Sequence, residues 1–277
     1  MTDPLAETPV RPNVFVWTLG GETMLSSYGT NCVGVIGRGA VLLVDPLIAP
    51  AHARLVEQAL RRHTSAPVRL VALTHHHTDH TLGGAWFAGQ GATIIAHRAC
   101  REGMAAEHPA LLEARRRAAE TAELFADAVP VLPDVTFDEG LTLYVGDVEV
   151  EVWHAGWDHT PGDAFLFLPA ERVAICGDLV FSGYHCNYEH ASAGGVREGL
   201  RALRALDADI FIPGHGRVGG PEILDAQEEY HAAVEAAVRE GAAAGLDDEA
   251  LAAAVRARFP DYLLPIVTPT AVARFKP

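Results

Sequence analysis

Short apolar runs broken by Gly, Pro, Asp or His set the rhythm of this chain, and they predict brief strands alternating with helices. Val14–Trp17, Cys32–Ile36 and Ala40–Val44 read as strands, with Gly37-Arg38-Gly39 turning between the last two. Residues 1–12 are polar and Pro-rich and read as a flexible arm. Pro50 opens a helix to about His63, with Leu55, Ala59 and Leu60 on its apolar stripe. Val68–Leu73 is rich in β-branched residues and reads as a buried strand that delivers the chain into three consecutive histidines. A helix from about Leu82 to before Gly89 and a strand over Thr93–Ala96 follow. Residues 97–128 turn rich in Ala, Glu and Arg and predict a helical insertion.

The second half repeats the order. Leu141–Val145 and Val148–His154 form a predicted hairpin around Gly146-Asp147, and residues 164–168 and 172–175 a second pair. A helix over 195–206, a strand at Ile210–Ile212, helices over 221–239 and 247–258 and a Pro-rich tail complete the reading. Hairpins near the start of each half imply an α+β fold, in which two mixed β-sheets lie face to face with helices on the outer faces. One domain over 13–240 is expected, with 241–277 a helical extension packed on it.

Composition narrows the function. The chain has 277 residues and is 49% hydrophobic, enough for a sizeable core, and no apolar run is long enough to span a membrane. The formal net charge of −15 argues against nucleic acid and anionic lipid as partners. Cys32, Cys100, Cys176 and Cys186 lie far apart, and the first residues show no signal-peptide pattern, so free thiols in the cytoplasm are expected. A homodimer is the default expectation for a soluble enzyme.

Candidate chemistry concentrates at strand ends. Thr74-His75-His76-His77-Thr78-Asp79-His80 follows one predicted strand, and His159-Thr160-Pro161-Gly162-Asp163 follows another. Gly177-Asp178 and Pro213-Gly214-His215-Gly216 follow two more. Imidazoles with carboxylates make a mixed nitrogen and oxygen site suited to zinc, with iron or manganese as alternatives. His76 points away from its neighbours if the segment is extended, and reads as structural.

This set resembles the metallo-β-lactamase superfamily over about residues 14–220, the H-x-H-x-D-H signature standing as His75, His77, Asp79 and His80, with Gly83-Gly84 behind it. The resemblance implies a first metal on His75, His77 and His159, a second on Asp79, His80 and His215, and Asp178 bridging both. Asp45 matches the aspartate that buttresses the metal loop. The bridging aspartate points to the glyoxalase II-like and lactonase-like branch. The implied reaction is hydrolysis of an ester, thioester or lactone by a hydroxide held between two divalent ions, with Asp79 and His80 at the reacting centre. In the loop after Asp178, the resemblance makes Tyr184, His185 and Tyr188 candidates to assist the substrate and His190 a residue that braces the ligands.

Several features bear on alternatives. An iron-dependent oxygenase of the same superfamily is the main one, with a ribonuclease or β-lactamase further off. Trp157 beside His159 reads as a pocket wall. Arg115-Arg116-Arg117 reads as a solvated helix face that could instead cap the pocket and bind a carboxylate or a thioester tail. A small-molecule acyl compound is the expected partner.

Overall fold

The computed structural model describes residues 5–192 and 197–277. Its first strand, β1 (Ala6–Arg11), occupies the stretch expected to be a flexible arm and pairs antiparallel with β2 (Val14–Thr18). The arm reading fails for a physical reason. An edge strand buries little and shows no apolar alternation, so its order comes from partners. Glu7 accepts from the Trp17 indole at 2.8 Å and from Arg62 at 3.0 Å.

A short 3-10 helix (Met24–Gly29) leads into β3 (Asn31–Gly37), β4 (Ala40–Val44), helix α1 (Pro50–Leu60) and β5 (Val68–Leu73). Next come α2 (Thr78–Thr81), α3 (Gly84–Ala88), β6 (Thr93–His97), α4 (Arg98–Arg117) and β7 (Val135–Phe137), the last absent from the sequence reading. Strands β1 to β7 form one sheet in sequence order, antiparallel up to β4 and parallel beyond it. The expected insertion over 97–128 is helical only to Arg117, and turns carry the rest. Within α4, Cys100, Met104, His108 and Leu112 are buried at steps of four, the stripe a helix lays on a core.

The second sheet has the order β12-β11-β10-β9-β8. It comprises β8 (Gly140–Val145), β9 (Val148–Gly156), β10 (Asp163–Leu168), β11 (Val173–Ser182) and, after helix α5 (Glu198–Arg204), β12 (Ile210–Gly216). The first two residues of the helix expected over 195–206 lie outside the described residues. Both β11 and β12 run further than expected, so Asp178 and His215 sit inside strands rather than in the turns that follow. Helices α6 (Glu222–Ala243), α7 (Asp248–Arg258) and α8 (Thr268–Phe275) close the chain, the last falling in what read as a Pro-rich tail.

Strand alternation sorts the side chains into layers. Val33, Val35, Leu42 and Val44 face Val150, Val152, Leu166 and Ile175 of the other sheet, while Cys32, Val41 and Leu43 face α1. Phe165, Cys176 and Phe211 turn outward under α5 and the start of α6. The result is the expected sandwich of two mixed sheets with helices outside. Burying each such Val, Leu or Phe contributes about 1.5–3 kcal/mol. All four cysteines are free and buried, and burial pushes their thiols up, which leaves them unreactive. Among the described residues no helix is long and apolar enough to cross a membrane.

Candidate metal centre

The chain leaves β5 into His75-His76-His77 and at once enters α2, so the histidines lie on a bend and not on an extended segment. Beneath this bend, β4 gives way to Asp45, held in the left-handed region at φ 54°. That strained backbone aims the Asp45 carboxylate at the turn, where it accepts from the Thr74 amide at 2.8 Å and the Thr74 hydroxyl at 2.7 Å. It also accepts from His80 Nδ1 at 2.8 Å. Gly83 closes against this loop, because a Cβ there would run into the Pro46 carbonyl.

These contacts settle which ring nitrogens are bare. Thr74 gives its proton to Asp45, so its oxygen accepts from His75 Nδ1 at 3.0 Å, leaving His75 Nε2 with a lone pair and no partner. His80 donates through Nδ1 to Asp45, and His215 donates through Nδ1 to the Tyr28 carbonyl at 3.1 Å. Both therefore turn Nε2 inward. His77 Nε2 lies 2.9 Å from His190 Nδ1, and its Nδ1 lies 2.9 Å from His159 Nε2. His159 is set by Asp163, whose carboxylate accepts from the amides of His159 and Thr160 and from the Thr160 hydroxyl.

The inward atoms converge on Asp178. Its Oδ2 stands 3.7 Å from His75 Nε2, 3.4 Å from His159 Nε2 and 3.5 Å from His215 Nε2, and its Oδ1 is 3.2 Å from His80 Nε2. Asp79 Oδ2 lies 3.6 Å from His80 Nε2 and 3.4 Å from His215 Nε2. Donors about 2.0–2.1 Å from a tetrahedral ion stand about 3.3 Å from one another, so these separations suit coordination better than hydrogen bonding. Asp178 Oδ1 is buried without a hydrogen-bond partner, and Gly214 leaves it room, since a Cβ there would strike it. The donors fall into His75, His77, His159 and Asp178 on one side and Asp79, His80 and His215 on the other. The residues present thus fit the metal ions that the sequence implies.

Electrostatics agrees. Burial holds His75 and His77 well below the ordinary histidine range and His159 at about 4, leaving neutral imidazoles that can give lone pairs. Burial would lower His80 and His215 too, but Asp178 and Asp79 outweigh it, holding His80 well above its usual value and His215 up at about 9. Burial would raise Asp178, yet His80, His215 and His75 keep it well below the carboxylate range. The carboxylates on this side of the cluster draw in positive charge, as protons or as cations.

His77, Asp79, Asp178 and His215 line one cavity of about 270 Å3. Three residues that the sequence reading passed over or misplaced share it. Glu107 of α4 puts Oε1 3.3 Å from His190 Nε2 and 3.5 Å from His76 Nε2, so a chain runs from His77 through His190 to a carboxylate. His76 is buried with neither nitrogen hydrogen-bonded, against the expectation of a structural residue facing away. Arg115 is the third. His76, His77 and His190 form another donor group, but His77 has one lone pair to give, so this group competes with the first.

The loop after Asp178 departs from expectation. The Tyr184 hydroxyl donates to the Gly21 carbonyl at 3.2 Å, and only its ring approaches His215. His185 is buried against Tyr230, its Nδ1 3.0 Å from that hydroxyl. Tyr188 borders a small recess beside His159, with its hydroxyl 2.5 Å from His231 Nδ1. None of the three turns its polar atom to the cavity, because Gly21 takes that of Tyr184 and the aromatic layer under α6 to α8 takes those of His185 and Tyr188. Trp157 is about half exposed and donates to the His190 carbonyl at 2.7 Å, bracing that residue and not walling the pocket.

Comparison with known proteins follows the same lines. A family described as the metallo-beta-lactamase superfamily matches residues 27–215. The chain is 29% identical over 210 residues, 75% of its length, to the 2,4-dinitroanisole O-demethylase subunit alpha of Nocardioides sp. strain JS1661. It is 22% identical over 175 residues to the metallo-beta-lactamase type 2 of Elizabethkingia meningoseptica. These matches span 56% and 61% of the relatives' own lengths. Among solved structures, a metallo-beta-lactamase from Pontibacter korlensis superposes with a TM-score of 0.65 at 20% identity, over 80% of this chain and 95% of that one. FIM-1 from Pseudomonas aeruginosa, in its mono-zinc form, gives 0.63 at 19% identity over 82% and 94%.

Proposed function

The chain belongs to the metallo-beta-lactamase superfamily, and from that premise we propose that it is a dinuclear metal-dependent hydrolase of an ester, thioester or lactone. The observation that carries this reading is the convergence of seven donors into one cluster, four of them lining the cavity, with both oxygens of Asp178 inside it. His75, His77 and His159 would hold one ion, Asp79, His80 and His215 the other, and Asp178 would touch both. Two divalent ions there, zinc for preference, would supply Lewis acidity and acidify a water at neutral pH.

The chain's own residues do the rest. Asp45 and the Tyr28 carbonyl keep His80 and His215 in the tautomer that gives Nε2 to the cavity. His190 and Glu107 do the same for His77 Nδ1. Asp79 takes a hydrogen bond from Thr30 at 3.0 Å, which fixes its carboxylate to receive or orient a proton at the cavity face. Tyr28, Leu264 and Ile266 supply an apolar wall for the acyl part of a small substrate. The filled bridging position of Asp178 supports the glyoxalase II-like or lactonase-like branch.

A second reading has a specific support in the O-demethylase subunit, whose name describes removal of a methyl group from the oxygen of 2,4-dinitroanisole. One experiment separates the readings. Metal-replete protein is assayed against esters, thioesters, lactones and 2,4-dinitroanisole, with and without oxygen, beside elemental analysis. Cleavage of a carbonyl substrate, independent of oxygen and lost with a chelator, is the expected result. Turnover of the anisole alone, or turnover that needs iron and oxygen, refutes the carbonyl hydrolase.

A further inference from the structure

Three consecutive arginines end α4, and the fold gives each a different task. Arg117 is exposed and pairs with Glu113 one turn back at 2.7 Å. Arg116 donates to the carbonyls of Phe125 and Ala128, tying the turns after α4 to the helix. Arg115 points the other way, into the cavity of the metal centre, and among the described residues it is the one Lys or Arg that lines it.

The Arg115 guanidinium is held in place but not neutralised. Its Nη2 donates to the Thr78 hydroxyl at 2.7 Å, next to the ligand Asp79, and its plane lies over the Phe125 ring with Cζ 5.1 Å from the centroid. Its Nη1 is buried and has no hydrogen-bond partner. Among the described residues no carboxylate oxygen comes within 4.0 Å of this side chain, although every other cavity-lining charge outside the histidines is acidic. A guanidinium cannot shed its proton to escape burial. It is therefore a cation fixed in the cavity wall beside the reacting centre, with one buried N–H left without an acceptor.

We infer that Arg115 is an anion-recognising residue, and that the substrate carries a carboxylate at the end remote from the bond that is cleaved. The fork of a guanidinium matches the two oxygens of a carboxylate, and a charge-assisted bond formed away from bulk water adds affinity as well as orientation. An anion would also be drawn to a pocket whose donors would hold divalent ions, which offsets the overall acidity of the protein. This inference rests on the reading of the cavity as the substrate pocket, and it deepens that reading by naming a group the substrate must bear.

The test uses metal-replete protein and two readouts. Calorimetric titration with benzoate and with benzamide reads binding without turnover. Kinetics on p-nitrophenyl acetate and on the mono-p-nitrophenyl ester of succinic acid read recognition during turnover. Arg115→Met is expected to weaken benzoate binding about tenfold or more and to spare benzamide. It is expected to raise KM for the anionic ester at least tenfold more than for the neutral one, with metal content unchanged. Arg115→Lys, which keeps the charge without the fork, is expected to fall between the two and guards against a folding defect in the methionine variant. Equal benzoate affinity in the wild type and both variants overturns the inference, as does equal loss on both esters. If no ester is cleaved at all but benzoate binding still depends on Arg115, the hydrolase reading fails while the anion site stands.

Discussion

The turn after β5 and the loop after β11 carry similar residues. One holds four histidines and an aspartate within Thr74–His80, the other Tyr184, His185, Tyr188 and His190. In the turn, the rings of His75, His77 and His80 each have one nitrogen secured, by Thr74, His190 and Asp45 in that order, and the other turned into the donor cluster. In the loop, the polar atoms of Tyr184, His185 and Tyr188 are all taken by partners away from the cavity, the Gly21 carbonyl, Tyr230 and His231. Its backbone is pinned as well, His185 to the Leu263 carbonyl and Tyr188 to the Thr270 hydroxyl, both at 2.8 Å. A donor-rich segment becomes a site when its side chains are satisfied at one end only. When both ends are satisfied it becomes core. His190 crosses between the two segments, since it belongs to the loop and serves the turn.

The comparison breaks most sharply at Asp178. Asp178→Ala removes the oxygens that four of the histidines share, and is expected to leave at most about one metal ion per chain. Turnover should fall at least about a hundredfold, the scale of losing an oriented electrostatic group. Elemental analysis beside circular dichroism checks it, and near-normal rate with both ions retained would contradict the shared role.

A paired substitution then separates the two segments. His190→Ala should weaken metal affinity about 10- to 100-fold by releasing the His77 ring, with the fold intact. His185→Ala should cost about 1–3 kcal/mol of stability by leaving the proton of the Tyr230 hydroxyl, which still accepts from the Cys186 amide, without an acceptor, and should leave metal affinity as it was. Chelator competition and urea unfolding read the two effects. If His185→Ala sheds metal as readily as His190→Ala, the division between site and core is wrong.

The smallest effect is in pH. Burial holds His185 down at about 4 and His231 at about 3, both below the unfolded value near 6.5. Between those values the folded state binds fewer protons than the unfolded chain. The stability they contribute is therefore present above pH 6.5 and is lost as pH falls toward about 4 for His185 and about 3 for His231, at up to about 1.4 kcal/mol per pH unit for each ring. Unfolding at pH 7, 6 and 5 should show the loss, and His231→Gln should flatten it. The same slope in the variant would mean that His231 takes no part.

Much of the centre was legible before any fold was known. The structure brings together the seven donors that the motif names, with Asp45 beneath them, because strand ends and the turns beside them carry the whole cluster. Glu107 was not legible. It is an ordinary helical glutamate until α4 packs beside the turn and brings it to His190. The arm that proved to be β1 was missed for a related reason, since an edge strand such as Ala6–Arg11 buries few side chains and leaves no apolar pattern to read.

What the sequence determined by itself was the alternation of buried and exposed residues, which builds the two sheets, and the identity of the metal-seeking atoms. Which of several similar side chains face the cavity was decided only by tertiary structure. Three adjacent arginines reach solvent, a loop and the pocket because each successive helical residue turns by about 100°. Neighbouring tyrosines and histidines vanish into the aromatic layer because α6 to α8 offer partners that no local pattern reveals. A side chain's chemistry is local, but whether it is left free to act depends on which distant residues already hold its atoms.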